Sequence, residues 1–105
     1  MGRSAQRKGA DGERELANLL KEYGFKVRRG QVFNHESDMV GLDMIHPEVK
    51  RVEKLNVPAA MRQAITEAQI RQDGTPTLFH RRNREEWLVT MRLTDWIEFY
   101  RKWNE

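Results

Sequence analysis

Two short apolar segments with charged residues inside them constrain this chain more than any other feature of its sequence. Asp38 opens an apolar run over residues 39–42, and Glu48 and Lys50 flank Val49 a few positions later. Both segments are typical of β-strands, and an ionised side chain is costly to bury without a partner. The fold must therefore bring these charges to one another, to solvent or to a ligand.

Size and composition indicate one domain with a small basic surplus. The chain has 105 residues, with 19 Lys and Arg against 16 Asp and Glu, and this charge balance favours a polyanionic partner. It has no cysteine, which excludes disulfides, thiolate nucleophiles and cysteine-ligated zinc. No segment resembles a signal peptide or a membrane span. We therefore expect a soluble cytoplasmic protein, in a bacterial cell or a phage-infected host, with no membrane partner.

The hydrophobic periodicity predicts an α/β domain over residues 10–105, preceded by a basic, flexible arm over residues 1–9. The predicted order is helix, three strands, helix, two strands, helix, which favours a mixed central β-sheet flanked by helices. The helices are expected at residues 11–23, at 57–72 and after a cap at Thr94, and the strands at 25–29, 38–42, 47–51, 75–79 and 86–91.

The last predicted helix carries an aromatic stripe at helical spacing, formed by Trp96, Phe99, Tyr100 and Trp103. We expect this stripe to belong to the hydrophobic core, because most apolar stripes on helices do. The alternative is an interface between two copies of the chain.

The charged segments are predicted to form a hairpin with a site on one face. If residues 42–46 form a five-residue loop, Asp38 opposes Lys50 and shares its face with Glu48, whereas an even-numbered loop turns Asp38 away. Two carboxylates suit Mg²⁺ or Mn²⁺, and Lys50 would orient a water or neutralise charge on a phosphate. The alternative is a cross-strand salt bridge between Asp38 and Lys50 with Glu48 exposed. Spacing alone does not separate the two.

Glu13 is the candidate for a third acidic residue. It lies on the same side of the first helix as Leu16 and Leu20, from which a carboxylate can reach a metal at the end of the sheet. The alternative is that Glu13 only complements the positive end of the helix dipole. Asp43 competes with Asp38, but it falls in the proposed turn, where aspartate is common for conformational reasons.

Candidate contacts to a polyanion form three basic clusters and include one separate histidine. Basic residues cluster in the N-terminal arm, at the end of the first strand and in the turn before the last strand, and His35 lies in a polar loop. Ordinary solvated surface charge is the alternative for each cluster. The candidate residues are Arg7, Lys8, Arg29, His35, Arg81, Arg82 and Arg84.

Three motifs carry a family resemblance: residues 8–14 (KGADGER), 37–41 (SDMVG) and 48–50 (EVK). In order and spacing they resemble the PD-(D/E)xK nucleases, and within these the Holliday junction resolvases of the archaeal type and their small phage-encoded relatives. The tails at residues 80–83 (HRRN) and 87–89 (WLV) are also similar to the phage group. Ser37 stands where the motif has proline, which is not a ligand.

The resemblance implies a restriction-endonuclease-like core and a Mg²⁺-dependent endonuclease that hydrolyses phosphodiesters in DNA. Asp38, Glu48 and the Val49 carbonyl would be metal ligands, Lys50 would orient the water, and Glu13 would complete the site directly or through water. The resemblance also implies a homodimer acting on branched DNA, and it adds Gln63 as a DNA contact, although the helical wheel places Gln63 off the apolar stripe.

Three functions remain open from the sequence. The first is a junction-resolving nuclease, with a nuclease of the same fold acting on flap, nicked or linear DNA as its nearest competitor. The second is a DNA-binding module that keeps the fold but does not cut. The third is a protein-interaction domain that binds a partner through its aromatic helix.

Overall fold

The computed structural model describes residues 2–105, with side chains from Gly9 onward. The elements follow in the order helix, three strands, helix, two strands, helix, so the predicted order and the predicted α/β class are confirmed. Their bounds are α1 (Gly2–Glu22), β1 (Arg28–Arg29), β2 (Met39–Val40), β3 (Ile45–Arg51), α2 (Val57–Arg71), β4 (Thr75–Arg81), β5 (Leu88–Thr90) and α3 (Leu93–Trp103).

The main sheet is three-stranded and mixed. β3 runs parallel to β4, with Glu48 opposite Leu78, and β4 runs antiparallel to β5, with Phe79 opposite Val89. The strands β1 and β2 form a separate antiparallel ladder. Parallel strands need a long crossover, and α2 supplies it between β3 and β4. The predicted mixed sheet flanked by helices is confirmed.

Two small cores cover the two faces of β3. Leu16 and Ala17 of α1 pack against Val49, while Ala60 and Met61 of α2 pack against Leu78. Side chains alternate along a strand, and partners in register share a face. Glu48, opposite Leu78, therefore lies on the α2 side of the sheet, and Val49 lies on the α1 side.

Local signals explain where α2 begins and ends. Asn56 caps its start by accepting a hydrogen bond from the Ala59 N–H at 3.0 Å. Gln72 ends it in the left-handed conformation, and Gly74 follows at φ +135°. A Cβ at Gly74 would lie 2.6 Å from the Met44 backbone, so only glycine lets β4 start this close to β3.

α1 begins at Gly2 rather than at residue 11, so the backbone of residues 2–9 is helical where the sequence predicts an arm. The polar and basic character of residues 1–9, which lack an apolar stripe, suggested the later start. Gly12 has a steric reason to be there: a Cβ on it would lie 2.9 Å from the Arg51 Cβ, so its small size permits the close approach of α1 to β3. The side chains of Arg7 and Lys8 lie outside the described part of the chain.

The prediction for the last helix is wrong in two respects. Arg92 occupies the N-cap position, so Thr94 lies inside α3 and does not cap it. No residue of α3 is buried, and the aromatic stripe is exposed, with Phe99 60% accessible. Periodicity identified the apolar face correctly, but it carries no information about what that face packs against.

Across residues 2–105, none of the helices combines the length and the apolar character that crossing a bilayer requires.

The core beneath α2 gives the first testable prediction. Leu78 is fully buried (0% exposed), so Leu78→Ala should lower the free energy of unfolding by about 2–5 kcal/mol, the usual effect of a cavity left by leucine. Leu88 is 51% exposed on the neighbouring strand and provides the matched control, Leu88→Ala. Urea denaturation followed by tryptophan fluorescence measures both. Equal losses in the two variants would contradict this account of the core.

Candidate active site

The site centres on a hydrogen bond between two segments that share no strand pairing. The Asp38 carboxylate accepts the Val49 N–H at 2.8 Å, which brings it between the positions of Glu48 and Lys50. Within the described chain β2 pairs with β1, not with β3, so the predicted hairpin and its loop-parity test are wrong. The chain turns away at Gly41, at φ +113°, and passes close over the Lys26 backbone.

Glu48 is a buried carboxylate with two different neighbours. It is 5% exposed; its Oε1 lies 3.6 Å from the Lys50 Nζ, and its Oε2 lies 3.7 Å from the His46 Nε2. All three side chains are on the same face of β3, as the alternation of a strand requires. The alternative of an Asp38–Lys50 bridge with an exposed Glu48 therefore does not describe this arrangement.

Asp38 has a strongly perturbed acidity. Its burial and the charges of Glu48 and Glu13 raise its pKa to about 7, against the opposing effects of the Val49 N–H and Lys50. The cause is a local excess of negative charge in a region with little water. A cation beside these carboxylates would relieve that excess, since an opposite charge favours the ionised form.

Glu13 faces inward as predicted, and its charge acts on Asp38, but its carboxylate is held elsewhere. Its Oε1 accepts from the Arg29 guanidinium at 3.1 Å. Among the described side chains, no three or more His, Cys, Asp or Glu groups converge closely enough to hold a metal. Asp38 and Glu48 still fit Mg²⁺ chemistry, because this ion commonly uses only one or two protein carboxylates. Glu13 would need to leave Arg29 to join them.

The predicted DNA contacts divide into arginines that form ion pairs and residues that are exposed to solvent. Two of the arginines are held by carboxylates on α1: Arg29 by Glu13 and Arg81 by Glu15. The hydrogen bond to Arg81 is the main cause that lowers the pKa of Glu15. The remaining candidates with described side chains are exposed; they are His35, Gln63, Arg82 and Arg84.

Sequence reasoning missed two groups of residues. Glu15 is not among the residues that the sequence singles out, yet it accepts from the Trp87 Nε1 at 3.2 Å and lies 3.4 Å from the Arg51 Nε. His46 is not a candidate from the sequence either, yet it is 1% exposed and contacts Asp73. His46 is the second residue of β3 and falls in the loop predicted over residues 42–46, so no local pattern marked it as buried.

With this geometry in place, comparison with known proteins decides the family. The family model described as archaeal Holliday junction resolvase (Hjc) matches residues 4–98. The chain belongs to this family. The match extends beyond the motifs in residues 7–65 and includes the first half of α3, so the Hjc resemblance expected from the sequence is confirmed. No curated protein matches the chain. Membership in Hjc assigns the protein to the DNA nucleases, and the α/β core agrees with the restriction-endonuclease-like fold of that family.

The acidity of Asp38 gives the second prediction. The unfolded chain releases the Asp38 proton near its ordinary pKa of 3.8, but the folded chain keeps it to about 7, so stability is lost as the pH rises between these values. Asp38→Asn should therefore raise the free energy of unfolding at about pH 8, without divalent ions, by on the order of 2 kcal/mol. Near pH 4 the gain should vanish.

Urea denaturation at the two pH values measures this difference. Asp43→Asn is the matched control, because Asp43 is exposed in the turn after β2. A gain from Asp38→Asn that is the same at both pH values would show that ionisation of Asp38 does not oppose folding.

Proposed function

We propose that this protein is a divalent-metal-dependent endonuclease that hydrolyses DNA phosphodiesters and selects Holliday junctions, in recombination and repair. The observation that carries the proposal is the meeting of Asp38, Glu48 and Lys50 around Val49 in a chain of the Hjc family. A location in the cytoplasm, of a bacterial cell or a phage-infected host, follows from the proposed substrate and the phage-like motifs.

The proposed roles follow from the charges at the site. Asp38 and Glu48 would hold Mg²⁺ or Mn²⁺ with the Val49 carbonyl, and the ion supplies Lewis-acid polarisation of a phosphate and acidifies a water. Lys50 keeps its ammonium group 3.6 Å from Glu48, where it can orient the attacking water. The same positive charge offsets the negative charge that develops on the phosphate. Glu13, held by Arg29, adds negative potential beside Asp38.

The proposed DNA surface relies on basic groups that no carboxylate of the described chain neutralises. Arg82 and Arg84 are exposed in the turn between β4 and β5. Contacts of this kind bind phosphates regardless of sequence and weaken as salt rises. Arg29 forms an ion pair with Glu13, and Arg81 forms one with Glu15. Because these pairs partly neutralise both arginines, their contribution to DNA affinity should be smaller.

A cleavage assay tests the nuclease. With Mg²⁺, the wild-type protein should cut a four-way junction faster than a flap or a linear duplex of the same sequence. Asp38→Ala should abolish cleavage because it removes a proposed metal ligand. Lys50→Ala should lower the rate by about 100-fold or more, because it removes the positive charge that offsets charge developing on the phosphate. Asp43→Ala, an exposed acid in the neighbouring turn, should cut at the wild-type rate.

Each result has a defined meaning for the proposal. Equal rates on the three DNAs would remove the junction preference and keep the nuclease. Wild-type activity in Lys50→Ala would remove the role given to that lysine. Folded protein that binds the junction in Ca²⁺ but cuts nothing in Mg²⁺ or Mn²⁺ would favour the alternative of a non-catalytic DNA-binding module.

We also propose a homodimer formed through α3. This helix is 11 residues long, a length at which an isolated helix is marginal in water. It buries no residue against its own chain, and Trp96 stacks on Tyr100 with ring centroids 5.0 Å apart in an exposed cluster. A second copy would cover this apolar face, and two copies would present two sites to the opposing strands of a junction.

Sedimentation equilibrium tests the dimer. Phe99→Glu puts a charge into the exposed aromatic face and should convert the dimer to a monomer, because an unpaired charge is costly to bury in an interface. Phe33→Glu is the matched control, since Phe33 is 78% exposed in the loop after β1. Monomeric wild-type protein at tens of micromolar, or an unchanged dimer in Phe99→Glu, would rule out this interface.

A further inference from the structure

His46 is a buried ionisable residue to which the proposed mechanism gives no task. It is 1% exposed on β3, with the apolar Pro47 and Val49 beside it in the same strand. Networks of buried charges are weak sources of stability, and apolar residues of similar size often replace them without loss. A histidine at this position therefore needs another explanation.

The ring of His46 is held on one side by Asp73. Its Nδ1 lies 2.8 and 3.0 Å from the two Asp73 carboxylate oxygens. An ionised carboxylate only accepts hydrogen bonds, so Nδ1 carries a proton and donates it. Asp73 reaches this position because it immediately precedes Gly74 and β4, whose Thr75 lies opposite Ile45 at the start of β3.

The other side of the ring faces the proposed metal ligand. The His46 Nε2 is buried with no hydrogen-bond partner among the described residues, and its acidic neighbour, the Glu48 Oε2, lies 3.7 Å away, beyond hydrogen-bonding distance. The other oxygen of Glu48 faces Lys50. The two carboxylate oxygens thus have separate neighbours, which restricts rotation of the carboxylate.

We propose that His46, held by Asp73, is a positioning residue that fixes the Glu48 carboxylate for a divalent cation. This inference rests on the proposed nuclease function. Asp73 sets the orientation of the ring, the ring restrains Oε2, and Oε1 remains on the side of Lys50. Partners that orient a metal-binding side chain typically change metal affinity by about 10–100-fold when they are removed.

The experiment measures binding of Mn²⁺ alone to DNA-free protein by electron paramagnetic resonance, with folding checked by thermal unfolding. His46→Leu should weaken Mn²⁺ binding by about 10–100-fold. His46→Gln keeps an N–H that can be donated to Glu48 and should recover most of the affinity. His80→Gln is the control, because His80 contacts Thr90 on the neighbouring strand and forms no ion pair with any described carboxylate.

A second readout separates positioning from general damage to the fold. Junction affinity measured without divalent ions should be the same in wild type and His46→Leu, while the Mn²⁺ concentration for half-maximal cleavage should rise by the factor found for Mn²⁺ binding. Should His46→Leu fail to fold, Asp73→Asn decides: it leaves His46 in place, removes the charge that holds the ring, and should weaken Mn²⁺ binding several-fold.

The outcomes distinguish the inference from the function on which it rests. If the wild-type protein binds Mn²⁺ and folded His46→Leu binds it with the same affinity, the positioning role alone is overturned. Equal losses of affinity in His46→Leu and His46→Gln have the same meaning. Unchanged affinity in Asp73→Asn overturns it as well. Absence of Mn²⁺ binding by the wild-type protein overturns the metal-dependent nuclease and this inference together.

Discussion

The hydrogen bond from the Val49 N–H to Asp38 connects the β1–β2 ladder with the main sheet. β1 and β2 form their own ladder and share no strand pairing with β3, so this bond fixes Asp38 against the main sheet. Val49 turns its side chain toward Leu16 in the core while its backbone serves the site. Packing of α1 and geometry of the charged cluster therefore depend on the same residue, and a shift of β3 would disturb both.

The buried carboxylates of the site lower the stability of the fold, and the same carboxylates are the groups proposed to bind a cation. Burial of Asp38 is the main cause that raises its pKa to about 7, and the charge of the buried Glu48 is the second. Cationic groups are distributed around the carboxylates rather than between them, with Arg29 on Glu13 and Lys50 on Glu48. Residues selected for function commonly carry such a cost in stability. Here the cost is the burial of Asp38 together with its repulsion by Glu48, and a bound divalent cation would relieve it.

The features of the fold that depend on local signals could be predicted from the sequence. The order of the elements, the bounds of α2 and the inward face of Glu13 follow from periodicity, from a cap and from a glycine. The pairing of β2 did not follow, because a two-residue strand has almost no pattern and Gly41 redirects the chain. The surroundings of Glu15 and His46 were missed because their partners lie far away in sequence.

If the proposed dimer forms through the exposed aromatic face of α3, the proposed activity depends on the concentration of the protein. A single copy contains one pair of Asp38 and Glu48, so under the proposed function it would nick one strand of a junction and could not cut two strands at once. If pairing occurs through α3, the concentration of resolving enzyme varies with the square of the monomer concentration when the protein is dilute. Low expression would then leave a bound but unresolved junction, and a modest rise in synthesis would produce a steep rise in resolution.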